Sequence, residues 1–158
     1  MNEQRLRRSL NIVFFVLYLF LLVNFVLVKG KLFDRLSPTD YYAYYELNLP
    51  KSKNVGLNLV PFQTIKAYYK PENWNPESTK AANVIGNIVL FMPLGFLLPL
   101  VFPKTGKFVT VFLLSLFVSV ALEGCQYFFQ SGVTDIDDVI LNTMGGIFGY
   151  GFFAFIYR

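Results

Sequence analysis

The chain has 158 residues, 54% of them hydrophobic and 18% aromatic, with a mean hydropathy of +0.46. This balance excludes an ordinary soluble domain and points to an integral membrane protein. No histidine is present and Cys125 is the one cysteine, so imidazole chemistry and an intrachain disulfide are both excluded. The formal net charge of +4 is divided among the flanks of apolar runs, so nucleic acid is not an expected partner.

Residues 10–28 form an apolar run broken only by Asn11 and Asn24, about the 20 residues a helix needs to cross a bilayer. Arg5, Arg7 and Arg8 precede it, which predicts a cytoplasmic N-terminus under the positive-inside rule. The run is longer than a secretory h-region and V-L-V-K-G lacks a cleavage pattern, so a retained anchor is expected. Residues 29–80 are the long polar stretch, expected as an extracytoplasmic loop containing short interfacial helices. Within it, S-P-T-D at 37–40 predicts a helix-capping turn, and Tyr41, Tyr42, Tyr44 and Tyr45 cluster as headgroup-level aromatics do. Pro61, in N-L-V-P-F-Q-T-I, suits the first position of a helix. Thr64, Ile65, Tyr68 and Tyr69 would then form its interfacial face. Residues 71–76, including Trp74, read as a turn.

Residues 81–102 make the second predicted span, with Asn83 and Asn87 on one face and Pro93 and Pro99 inside it. A membrane helix tolerates such prolines when neighbours take up the freed carbonyls. P-K-T-G-K at 103–107 predicts a tight inner turn, with Lys104 and Lys107 as its cytoplasmic flank. In the third span, 108–129, and just past it, Ser115, Ser119, Glu123, Gln126 and Gln130 recur at helical spacing and form one polar stripe facing the bundle. Cys125 lies off that stripe and reads as a small packing residue, because no basic partner is in evidence to activate it. After an outer turn comes the fourth span, 139–157, with Asp138, Asn142, Gly145 and Gly149 on one face and Arg158 on the cytoplasmic side. Gly145 and Gly149 form a G-x-x-x-G, which permits close helix approach. The expected fold is all-α, a single polytopic domain of four transmembrane helices.

Spans of alternating direction bring Asn83, Asn87, Glu123, Gln126, Asp138 and Asn142 together near the outer surface. Asp135 and Asp137 are expected at the mouth of a wet, acidic pocket open to the outside. Three explanations fit these residues. In the first, the amides and Glu123 hold the helices together at about 1–2 kcal/mol per contact, while the aspartates cap the fourth helix. That leaves Glu123 poorly explained, since an amide would serve without the cost of a buried ionisable group. In the second, Glu123 and Asp138 are catalytic, with Glu123 as general acid or base, although no nucleophile is recognisable. The aspartate cluster also has the oxygen ligands a divalent cation requires, but no metal ligand set or cofactor is assigned. In the third, Asn83, Asn87, Gln126, Asp135, Asp137 and Asn142 bind a polar headgroup or cell-wall lipid intermediate without altering it.

Four motifs stand in order along the chain: N-L-V-P-F from Asn58, N-x-x-x-N-I-V-L-F-M-P-L-G-F from Asn83, E-x-x-Q from Glu123 and D-I-D-D-V-I-L-N-T-M-G-G from Asp135. Together they resemble the VanZ-like family of small bacterial membrane proteins, over residues from about 58 to the end. Many members of that family carry an arginine in the turn before the acidic motif, where Gly132 stands here. The resemblance implies a multi-pass protein of the bacterial cell membrane, associated with resistance to teicoplanin. Teicoplanin is a lipid-bearing glycopeptide that acts on the outer face of the membrane. Such a phenotype makes a cell-wall lipid intermediate or the lipoglycopeptide itself the expected partner, and leaves the reaction and the oligomeric state open.

Overall fold

The computed structural model describes residues 3–36, 57–68, 79–129 and 134–157. The turn expected at 37–40, the tyrosine cluster, Tyr69, the turn at 71–76, Gln130 and Gly132 lie outside them. The helices are α1 (Glu3–Leu36), α2 (Gln63–Tyr68), α3 (Thr79–Val101), α4 (Phe108–Phe129) and α5 (Ile136–Tyr157). Two-residue strands β1 (Leu57–Asn58) and β2 (Thr134–Asp135) pair in parallel. The segments Glu3–Val28, Asn83–Val101, Phe108–Phe129 and Ile136–Tyr157 are each long and apolar enough to cross a membrane. The chain is an all-α, multi-pass membrane bundle.

Three of the boundaries that differ from the sequence expectation bear on the site. Helix α1 continues past Val28 to Leu36, into the stretch expected as outer loop. Helix α2 starts at Gln63, two positions after Pro61. Helix α5 starts at Ile136, before the expected residue 139, because the Asp137 N–H donates to Asp135 Oδ1 at 2.9 Å. Asp135 is therefore the N-cap, and Asp137 and Asp138 fall in the first turn, beside the positive end of the helix dipole.

Glycines set the helix spacing. A Cβ on Gly95 of α3 would lie 1.8 Å from Gly146 O, one on Gly149 of α5 1.9 Å from Met92 O, and one on Gly145 2.2 Å from Ile88 O. The backbones of α3 and α5 are thus in direct contact, as small-residue interfaces in membranes allow. Helix α4 closes against the same face, where a Cβ on Gly146 would meet Ser115 Oγ at 2.1 Å.

Helix α1 lies across α3 and α4, burying Phe15, Leu22 and Val26. Its Tyr18 hydroxyl donates to Leu90 O at 2.9 Å, in the turn of α3 that Pro93 interrupts. A neighbour thereby serves a carbonyl beside the proline. Asn24 donates to Phe20 O of its own helix at 2.7 Å, so this exposed amide is satisfied without a partner helix. At the opposite end of the bundle from β1 and β2, the Tyr150 hydroxyl donates to Gly106 O at 3.1 Å, tying α5 to the turn before α4. Phe20, Phe117, Phe128 and Phe155 are exposed on the outer faces, as a lipid-facing surface requires.

Candidate functional site at the loop-covered end of the bundle

The ladder sets Leu57 opposite Thr134 and Asn58 opposite Asp135, so two polar side chains meet. Asn58 Nδ2 donates to Asp135 Oδ1 and to Thr64 Oγ1, both at 3.1 Å, and the Thr64 hydroxyl donates to Asp135 Oδ2. Asn58 Oδ1 accepts the Val60 N–H at 3.1 Å, an Asx-turn that folds the loop back on itself. Asp137 receives the N–H groups of Phe62 and, at 3.0 Å, Ile65. It caps the start of α2 from a distant part of the chain, meeting donors that a helix end otherwise leaves without acceptors. Phe62 has a left-handed backbone, with φ of 63°. That conformation is costly for a bulky residue and persists where the surroundings hold it.

Asp135 and Asp137 are 3% and 0% exposed. The open acidic mouth expected from sequence is therefore corrected: the loop lies over both aspartates and supplies donors to their oxygens. Burial pushes the Asp135 carboxyl up to about 6 from an ordinary 3.8; the bonds from Thr64 and the Asp137 N–H oppose the rise, and the charges of Asp138 and Asp137 add to it.

Beneath this layer, Glu123 is 4% exposed and its Oε2 accepts the Asp135 N–H at 3.1 Å. The Thr134 hydroxyl donates to Glu123 O at 3.4 Å, so β2 is fastened to α4 by both backbone and side chain of one residue. Asn83 Nδ2 donates to Asp138 Oδ1 at 3.4 Å, joining α3 to α5. One turn further along α5, Asn142 Nδ2 donates to Ser119 Oγ at 3.0 Å, joining α5 to α4. Asn87 is buried on α3, one turn from Asn83. On the predicted stripe, Ser115, Ser119, Glu123 and Gln126 are all buried.

Gln126 links α4 to α1 through its amide nitrogen. Its Nε2 donates to Val26 O at 2.9 Å, which turns the side chain toward α1. Cys125 is exposed rather than packed, because it lies off the inward stripe. Among the described residues, no group of three or more His, Cys, Asp or Glu is arranged to hold a metal ion. Asp135 and Asp137 of the aspartate cluster accept hydrogen bonds from Asn58, Thr64 and loop N–H groups.

After these contacts are made, Gln126 Oε1, Asn142 Oδ1 and Ser115 Oγ are buried without hydrogen-bond partners. Two of these are carbonyl acceptors, within one helical turn of Glu123 and Asp138 respectively. The site therefore has spare capacity to accept hydrogen bonds. Asn58 and Thr64 are the site residues that sequence reasoning missed. The signals for Asn58 were its place at the head of the N-L-V-P-F motif and its position before the Pro61 turn, which suits an Asx-turn.

A membrane bundle whose buried carboxylates and amides gather at one end, beneath a docked loop, defines a small polytopic protein with a polar centre at that end. The chain belongs to the VanZ/LLP1 family, which matches residues 14–157. It is 32% identical over 133 residues to Protein VanZ of Enterococcus faecium, an alignment covering 84% of this chain and 66% of the relative. The chain thus spans just under two thirds of that relative's length. No solved structure matches it.

Proposed function

We propose that this protein binds a cell-envelope lipid or saccharide at the loop-covered end of the bundle and thereby contributes to protection against teicoplanin-type glycopeptides. Membership of the VanZ/LLP1 family supports the phenotype through the association that the family resemblance implies. One observation carries the binding reading. Asn142 and Gln126 use their amide nitrogens to join helices, yet their buried oxygens remain unpartnered. Helix cohesion alone does not call for such acceptors, because each unmatched buried acceptor costs about 1–3 kcal/mol. A ligand with hydroxyl or amide donors, such as a saccharide, would match them, beside the carboxylates of Glu123 and Asp138.

Arg5, Arg7, Arg8, Lys104, Lys107 and Arg158 favour cytoplasmic termini and an outward-facing site. In a Cys125→Ser background, Gly132→Cys should react with an impermeant thiol reagent in intact cells and Lys104→Cys should not. The reverse pattern would turn the site inward.

Catalysis by Glu123 is the competing chemistry. The Asp135 N–H already occupies one of its oxygens, which favours a role in holding the turn. Mass spectrometry of protein purified in native lipid tests the binding reading. An envelope lipid or saccharide retained unchanged, and lost in Asn142→Leu, is expected. Conversion of that molecule by the protein would establish the enzyme, and equal recovery with Asn142→Leu would remove the binding reading.

A further inference from the structure

The segment 57–66 is tied to the body of the bundle. It pairs with Asp135, whose N–H donates to Glu123. Glu123 lies about 9 Å before the end of α4 at Phe129, at about 1.5 Å rise per residue. To either side of that level α4 exposes Val120 and Phe128, and α3 exposes Ile85 and Val89 near Asn87. The level lies within the apolar band of the spans. There the loop exposes Leu59, Val60, Pro61 and Phe62 in one run, with Leu59 63% and Phe62 50% exposed. Contiguous exposed apolar residues mark an interaction surface.

The backbone of this segment suits the same medium. Hydrocarbon offers no hydrogen bonds, so irregular chain within it must satisfy its polar groups internally. The Val60 N–H donates to Asn58 Oδ1, and those of Phe62 and Ile65 donate to Asp137. Gln63 N–H donates to Val60 O and Lys66 N–H to Phe62 O, while Pro61 has no N–H. Lys66 is exposed in the last turn of α2, and its long stem can carry the ammonium out to headgroup level.

We infer that residues 57–66 form a re-entrant lip within the bilayer, with Leu59, Val60, Pro61 and Phe62 lying against lipid acyl chains. The surface continues the lipid-facing sides of α3 and α4. The assignment goes beyond the envelope-ligand reading, because its partner is bulk lipid.

Spin labels in a Cys125→Ser background, reconstituted in phosphatidylcholine nanodiscs, measure the depth. A nitroxide at Val60→Cys should show an oxygen-to-nickel-chelate accessibility ratio close to that at lipid-facing Val120→Cys, one turn from Glu123, and several-fold above that at Lys104→Cys. A ratio matching Lys104→Cys would overturn the lip. Should Val60→Cys not fold, the unmodified protein decides the matter, reconstituted with phosphatidylcholine bearing a diazirine on its acyl chain. Photo-adducts on the peptide containing Leu59–Phe62 are expected, and adducts confined to the spans would overturn the assignment.

Discussion

Asp137, in the first turn of α5, accepts the backbone N–H of Ile65 at 3.0 Å across 72 positions of sequence. Its other oxygen takes the N–H of Phe62, so one carboxylate both starts α2 and fastens the loop to the bundle. Asp137→Ala leaves two part-buried donors without acceptors, each costing up to about 1–3 kcal/mol. Hydrogen exchange in residues 57–68 should accelerate at least tenfold while circular dichroism shows the spans intact. Unchanged exchange would mean that the β1–β2 ladder alone holds the loop.

The Asp135 carboxyl, pushed up to about 6 from an ordinary 3.8 by burial beneath the loop, makes docking dependent on pH. Between those values the docked state keeps a proton that an undocked Asp135 would lose, so docking weakens as pH rises from about 4 to about 6 and levels off above. Thr64 and Asn58 face this carboxyl, and the charges of Asp137 and Asp138 act on it. Loop exchange, corrected for its intrinsic pH dependence, should be slower at pH 5 than at pH 7.5. Asp135→Asn should remove the difference while keeping an acceptor for Asn58.

Gly149 and Gly151 make a matched pair in α5. A Cβ on Gly149 would lie 1.9 Å from Met92 O, whereas one on Gly151 meets nothing within 4 Å. Gly149→Ala must separate α3 from α5 and should cost about 1–3 kcal/mol, the usual range for overpacking. Gly151→Ala should leave thermal stability equal or slightly raised, because alanine is the better helix former. Equal Tm values for the two variants would contradict the backbone contact between α3 and α5.

The spans were legible because a bilayer imposes a length and an apolar composition that a single sequence displays directly. The inward stripe Ser115, Ser119, Glu123 and Gln126 was legible because helical spacing is local, and so was close approach through Gly145 and Gly149. The partners of the aspartates were not. Asn58 meets Asp135 from 77 positions away, and strands of two residues have no periodicity to reveal their pairing. Thr64 read as part of an interfacial face and proved 1% exposed, because its hydroxyl bond to Asp135 outweighs the amphipathic pattern of so short a helix. The start of α5 was misplaced for a related reason: Asp135 caps it through a side chain whose partner is visible only once the backbone is folded.

Under the proposed function, the polar cluster at this end of the bundle, and not the rest of the chain, carries protection. The most direct measurement is teicoplanin susceptibility of cells expressing the protein, compared with susceptibility to a glycopeptide lacking a lipid tail. Expression should lower susceptibility to teicoplanin more than to the tail-less compound. Glu123→Ala or Asp138→Ala, at equal level of folded protein, should abolish that difference, while Lys104→Ala with Lys107→Ala should preserve it. Protection that persists undiminished in both Glu123→Ala and Asp138→Ala would mean that this cluster does not carry it.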